Sequence, residues 1–349
     1  MTLLLRRRMV VLSVVAILAA LVLHRAYIFA ANRATKGAES SAYKAVAGPF
    51  ETDVASEIVL RDAQRNKDLD VKVTFPKADG KFPVIVFSHG FGGSKDTYAS
   101  LTEYWAARGY VTLQPTHDDS IAQRKANGEI RGMVQGFSTM REDISDPAAW
   151  RNRARDVSFV IDSLEEIERR VPGVAGKLDR THIGAGGHSF GALTTELLGG
   201  LTFTQPGASK PESLADRRIS ALLVLSGAGP TQHGVYENSW DSITAPLMLM
   251  TGTRDRGVSG LNPEMRIKPY ELVHSVHKYA IVLDGGGHMT FTGMPAKAGT
   301  EPAVLYETVK VASVAFWDAY LKSSETAESY LRSPSLVDFS GGKAKLNTE

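Results

Sequence analysis

Along this chain, short continuous apolar runs alternate with stretches in which apolar positions recur every three to four residues. A polar, small-residue stretch over 34–48 (ATKGAESSAYKAVAG) precedes two short patterns, 57–60 and 69–75, which read as strands joined by the polar turn RDAQRNKD, a hairpin. The run PVIVFS over 83–88 is continuously apolar, as in a strand buried on both faces, and leads into the glycine-rich HGFGGS. Residues 96–108 put Tyr98, Leu101 and Trp105 on one helical face, closed by Gly109. A strand over 110–113 runs into PTHDDS and a stretch of about thirty residues without clear periodicity. From the cap-like Asp146-Pro147, the pattern over 150–170 predicts one long amphipathic helix with Val157, Val160, Ile161, Leu164 and Ile167 inward. A short strand at 181–184, a helix at 190–198, strands at 219–225, 247–251 and 279–283, and a helix over 303–321 follow. Beyond Ser323 the chain turns polar and is expected to fray.

Strands that alternate with helices require right-handed crossovers, so the predicted fold class is α/β: a mostly parallel central sheet, helices on both faces, and antiparallel N-terminal strands at one edge. The expected organisation is an N-terminal segment 1–33, a linker 34–54, a catalytic-type domain 55–322 and a tail 323–349. Within the domain, 118–146 carries Ile121, Ile130, Met133, Val134, Phe137 and Met140 among charges, as suits a cap over an acyl pocket. At the N-terminus, Arg6, Arg7 and Arg8 precede the uncharged run MVVLSVVAILAALVL, the charged and apolar parts of a secretory signal. Its flank HRAYIFAANRA holds only approximations of a cleavage site near Ala30 and Ala31, so a signal peptide and a membrane-spanning anchor both stay open. Either way the body is expected to be exported, membrane-anchored or periplasmic/extracellular.

Composition narrows the chemistry. The 349 residues contain no cysteine, which excludes a thiol nucleophile, thiolate metal sites and disulfides. The first 34 residues hold five arginines and no acid, so the rest carries −3 against +2 for the whole chain. A mildly acidic body argues against nucleic acid as a partner, which needs a basic stripe.

Gly187-His188-Ser189-Phe190-Gly191 fits G-x-S-x-G between a predicted strand and a predicted helix, the setting that exposes a serine nucleophile above a sheet. A serine needs a base in hydrogen-bond reach and an acid to orient that base, in the order Ser, acid, His for this topology. Of His233, His274, His277 and His288, the last is favoured: it sits in GGGHMT, directly after a strand, at the carboxyl edge where such sheets bind ligands. His274 and His277 are placed in a helical stretch. Among Asp216, Asp241, Asp255 and Asp284, Asp255 is favoured because it follows the strand LMLMT in the loop GTRDRG, while Asp284 is expected to brace the glycine loop. The tetrahedral oxyanion needs two backbone donors, and these are assigned to the amides of Phe91, in His89–Gly93, and Phe190. GAGGHS has Ser189 where a dinucleotide-binding loop wants its last glycine, so a nucleotide cofactor is not expected, and neither a metal nor any other cofactor is required.

The motifs FSHGFGGS, THDDS, DPAAWRNRARDVSFVIDSL, LDRTHIGAGGHSFGA, TGTRD and DGGGHMTF together resemble α/β-hydrolases of the dienelactone-hydrolase and platelet-activating-factor-acetylhydrolase type, with cutinase-like polyester hydrolases as nearer relatives than lipases or peptidases. The resemblance runs from about residue 55 to 322. It implies Ser189 as nucleophile, Asp255 as orienting acid, His288 as base and the Phe91 and Phe190 amides as oxyanion hole, in a hydrolase of small-molecule, short-acyl esters. Dienelactone hydrolases typically use cysteine, which this chain lacks. Rival readings are an amidase, peptidase or acyltransferase on the same triad, or a non-catalytic binding module.

Overall fold

The computed structural model describes Tyr43 and residues 48–230, 234–257, 260–293 and 302–348; the N-terminal segment 1–33 and most of the linker, with their export and anchor readings, lie outside the described residues. Nine strands form one sheet: β1 (Thr52–Asp62), β2 (Lys67–Pro76), β3 (Phe82–Ser88), β4 (Val111–Pro115), β5 (Leu178–His188), β8 (Ile219–Leu225), β9 (Leu247–Arg254), β10 (Lys278–Gly287) and β11 (Ala344–Thr348). Their order is β1-β2-β4-β3-β5-β8-β9-β10-β11. From β4 through β10 neighbouring pairs are parallel, whereas β1–β2, β2–β4 and β10–β11 are antiparallel. The expected α/β architecture with antiparallel N-terminal strands is therefore the observed one. β6 (Thr202–Phe203) and β7 (Glu212–Ser213) form a separate small ribbon.

Helices cover both faces. On one lie α5 (Pro147–Asp162), α6 (Leu164–Arg170) and α7 (Phe190–Gly199), whose Trp150, Val157, Ile167, Leu193 and Leu197 pack against Val84, Val86, Ile183 and Leu222 of the strands. On the other, α1 (Ala99–Ala107) and α10 (Ala303–Leu321) press Leu101, Trp105, Phe316 and Trp317 against Ile85, Phe87, Leu223 and Met250. Alternate residues of β3 and β8 thus feed opposite cores, which is why those segments read as unbroken apolar runs. Among the described residues no helix is long and apolar enough to cross a membrane.

The structure departs from the sequence pattern at several places. β1 starts at Thr52, inside the predicted linker, and β5 begins at Leu178 rather than residue 181. The helix expected over 150–170 is two helices broken at Ser163, whose hydroxyl donates to the Phe159 carbonyl (2.8 Å). At the start of α5, the Asp146 carboxylate accepts the Ala148 amide at 2.8 Å, as its position before Pro147 suggests. Segment 118–146 forms three short helices, α2 (Ile121–Ala126), α3 (Met133–Ser138) and α4 (Met140–Ser145). His274 and His277 follow the short α9 (Pro269–Leu272), which comes after α8 (Pro263–Ile267), and are not helical, because Val273 leaves the helix with an extended backbone.

The largest correction concerns 323–348, which is not a fraying tail. It forms α11 (Glu325–Leu331), α12 (Ser335–Phe339) and the edge strand β11, and buries Ala327, Tyr330, Leu331, Leu336 and Ala344 in the same core as α10. Leu331→Ala is therefore expected to cost about 2–5 kcal/mol of unfolding free energy in urea titration, as for other fully buried leucines. A Leu331→Ala protein as stable as the parent would contradict this packing.

Candidate active site

The sharpest local constraint lies where β5 passes into α7. A Cβ on Gly187 would stand 2.1 Å from the Gly191 carbonyl oxygen, and one on Gly191 would stand 2.0 Å from the Ser88 carbonyl oxygen. Only glycine fits at either position, which is the physical content of the motif. Between them Ser189 takes φ 57° and ψ −115°, a conformation that costs a non-glycine residue of order 1–3 kcal/mol and persists only when its surroundings enforce it. Its amide donates to the Leu225 carbonyl at 2.9 Å, tying the turn to β8.

His288 follows β10 and Asp255 follows β9, so both reach the same carboxyl edge as Ser189. His288 Nε2 lies 3.0 Å from Ser189 Oγ, and its Nδ1 lies 2.8 Å from Asp255 Oδ1. Asp255 is fully buried, and Thr251 Oγ1 donates to its Oδ2 at 3.1 Å. Burial pushes the Asp255 carboxyl upward, but the hydrogen bond to His288 and the guanidinium of Arg266, 3.3 Å from Oδ1, outweigh it and hold the acid below the usual carboxylate range. Arg266 also donates to the carbonyls of Ser226 (3.0 Å) and Gly227 (2.8 Å). Ser226, with φ 55°, brings its hydroxyl within 2.9 Å of His288 Nδ1. The sequence reading missed both Arg266 and Ser226; the position of Ser226, just beyond β8, was the available signal.

The other candidates lie elsewhere. Asp284 is exposed and paired with Lys343 (2.9 Å) rather than bracing the loop of His288. Asp241 stands 3.7 Å from His274, Asp216 accepts from Arg218 and Ser158, and His277 stands 3.6 Å from Glu328. His233 lies outside the described residues.

In the loop after β3, three amides have acceptors: Gly90 donates to the Tyr98 hydroxyl (3.2 Å), Gly92 to Asp119 Oδ2 (3.0 Å) and Gly93 to the Gly90 carbonyl (3.1 Å). Among the described residues the Phe91 amide has none. The Phe190 amide opens α7, so no carbonyl of its own helix can accept it. The Phe91 and Phe190 amides thus keep their donors unspent, the property that an oxyanion hole requires of its amides.

Beside them runs a chain of polar groups the sequence reading did not single out. Tyr98 Oη lies 2.7 Å from His188 Nδ1, and His188 Nε2 lies 2.9 Å from the His288 carbonyl oxygen. A carbonyl can only accept, so Nε2 carries the proton and Nδ1 receives the tyrosine hydroxyl. The ring of His188 also packs on that of His288, with centroids 4.7 Å apart. Against the loop of Phe91, α2 buries Ile121 and the following loop buries Ile130, while Phe137 of α3 lies 6.4 Å from Phe91 between ring centroids, and Met133 and Val134 face outward. Among the described residues no group of three or more His, Cys, Asp or Glu is placed to hold a metal ion.

Three histidines around the site are buried and held neutral. Burial, with Arg153 nearby, lowers His89 from 6.5 to about 4 and brings His117 well below 6.5; burial, with His288 nearby, lowers His188 to about 3. The unfolded chain binds protons on these groups below about pH 6.5 while the folded chain does not, so stability is expected to fall as pH drops from about 6.5 toward 4. Each group is limited to one proton, or about 1.4 kcal/mol per pH unit. Denaturant titrations across this range check the slope, and His188→Gln should reduce it; stability flat between pH 7 and 5 would contradict the buried neutral state.

The family described as platelet-activating factor acetylhydrolase, isoform II, matches residues 51–128, from β1 through the loop after α2. This part holds the Phe91 loop and Asp119 but not Ser189, Asp255 or His288. Platelet-activating factor acetylhydrolase of Cavia porcellus is 24% identical over 142 residues, which cover 34% of this chain and 32% of that protein. The chain thus spans about a third of the length of the curated relative it matches. The sheet order, the tight strand–turn–helix around Ser189 and these two partial similarities agree in supporting an α/β-hydrolase fold similar to that of platelet-activating factor acetylhydrolases.

Proposed function

We propose that the protein is an exported serine hydrolase that cleaves short-acyl carboxylic esters of small molecules. The observation that carries the reading is one imidazole spanning two groups, His288 between Ser189 Oγ at 3.0 Å and Asp255 Oδ1 at 2.8 Å. Ser189 Oγ attacks the ester carbonyl as His288 Nε2 takes its proton. The Phe91 and Phe190 amides receive the developing oxyanion, and the tetrahedral intermediate collapses as His288 returns the proton to the departing alkoxide. A water molecule, deprotonated by His288, then attacks the acyl-serine ester and releases the carboxylic acid, restoring the serine. Asp255 keeps Nδ1–H oriented and offsets the charge of the imidazolium, and its depressed pKa keeps it ionised for that task.

The short-acyl preference rests on Phe91, whose ring stands against Phe137 beside the oxyanion position, and on likeness to relatives named for acetyl hydrolysis. Export rests on Arg6, Arg7 and Arg8 ahead of the apolar run, with cleaved signal and anchor both compatible.

Ser189→Ala and His288→Ala are each expected to abolish nearly all hydrolysis of p-nitrophenyl acetate with the fold intact, whereas Asp255→Asn should retain more, because the triad acts as a unit around the histidine. More than a few per cent of activity in Ser189→Ala would overturn the reading. Across p-nitrophenyl esters, kcat/KM is expected to be highest from acetyl to about butyryl; a profile still rising at octanoyl would overturn the acyl assignment alone, and faster hydrolysis of the matching anilides would indicate an amidase.

A further inference from the structure

We infer that Arg153 is the positioning residue of the oxyanion hole, a single buried guanidinium that fixes the backbone around both donor amides. The inference rests on the serine-hydrolase reading above and goes beyond it to the support of the site.

Arg153 lies in the middle of α5 and is only 2% exposed, an unusual place for a charged side chain. Its fork meets Asp119 twice, Nε to Oδ1 at 2.8 Å and Nη2 to Oδ2 at 2.9 Å. The same Asp119 Oδ2 accepts the Gly92 amide at 3.0 Å. From its other arm, Nη1 donates to the His89 carbonyl at 2.9 Å, and Nη2 lies 3.3 Å from His89 Nδ1. The segment carrying the Phe91 amide is therefore held just before it, at His89, and just after it, at Gly92, by one side chain and its counter-ion. The face of the same guanidinium lies 4.3 Å from the Phe190 ring centroid, so it also packs on the residue that supplies the second amide.

This combination needs arginine. A planar fork can meet a carboxylate through two nitrogens, reach a carbonyl with a third donor and still present a flat face to an aromatic ring; an ammonium supplies a single point of charge and no plane. A buried ion pair of this kind is a poor means of gaining stability, since desolvation offsets most of its attraction. Its geometric effect is the clear one: it leaves Phe91 as the loop amide with its donor unspent and restricts where that donor points. Donors that must lie within a few tenths of an ångström of a developing oxyanion benefit from such fixing.

The test compares Arg153→Lys and the near-isosteric Asp119→Asn with the parent protein, with turnover expressed per reactive serine counted by end-point labelling with a fluorophosphonate. Arg153→Lys is expected to lower kcat for p-nitrophenyl acetate about 100-fold with KM changed less than threefold, and to weaken inhibition by a methyl trifluoromethyl ketone, whose hemiketal places an oxyanion between the two amides, by a similar factor. Asp119→Asn should move both quantities in the same direction by about 10-fold. The pH dependence of kcat/KM should keep its midpoint, because His288 is untouched. A merely structural role would reduce the number of reactive sites and leave kcat per site and ketone affinity unchanged, and that result in either variant would overturn the inference. Ser189→Ala measured alongside separates the two levels: turnover in Ser189→Ala would refute the underlying reading, while an inactive Ser189→Ala beside an unimpaired Arg153→Lys would refute this inference alone.

Discussion

The architecture of the site depends on one backbone approach. The first turn of α7 runs so close to the end of β3 that a methyl group at Gly191 would stand 2.0 Å from the Ser88 carbonyl oxygen and 2.7 Å from that of His89. Two parallel neighbours in the sheet are thereby joined at their carboxyl ends, where the loop of one carries Phe91 and the turn of the other carries Ser189 and Phe190. Without that approach Ser189 and the Phe91 and Phe190 amides would belong to separate loops. With it they form one rigid corner, and the strained backbone of Ser189 is what that corner imposes.

Around this corner the protein places buried charges in pairs, one on each side. Arg153 with Asp119 supports the loop of Phe91, and Arg266 with Asp255 supports the side of His288. The two pairs do different work. Both donate to backbone carbonyls as well as to their counter-ion, but Arg153 does so on the loop of Phe91, whereas Arg266 helps to keep ionised the carboxylate that faces the imidazole. Between them His188 and Tyr98 connect the Gly90 amide to the His288 carbonyl through neutral groups, which position without adding charge next to His288. The site is thus tied to three separate places, the start of α1, α5 and α8, none of which carries Ser189, Asp255 or His288.

The parts legible in the sequence were those whose chemistry is local. Glycines flanking Ser189, the strand-end loops of Asp255 and His288, and the HGFGG turn each sit within a few residues of the element that positions them, and the apolar runs of β3, β8 and β9 state a sheet buried on both faces. The supporting residues were not legible for a physical reason. Arg153, Asp119 and Arg266 are charged residues in the interior, and a reading by polarity assigns charge to the surface unless a partner distant in sequence is known. The C-terminal segment was misjudged because α11 and α12 span only seven and five residues, too short for a helical period to show, and β11 alternates Ala344 and Leu346 with Lys345 and Asn347. The break at Ser163 was hidden because the apolar spacing continues across it from Ile161 to Leu164 and Ile167.

The proposed chemistry requires that the strained corner make Ser189, and no other hydroxyl, a nucleophile. It is tested most directly by reacting the native protein with a fluorophosphonate, digesting it and locating the adduct by mass spectrometry. One adduct per chain is expected, on Ser189, and none when the protein is unfolded before treatment. Adducts spread over several serines, on Ser226 instead, or formed equally in the unfolded chain would contradict it.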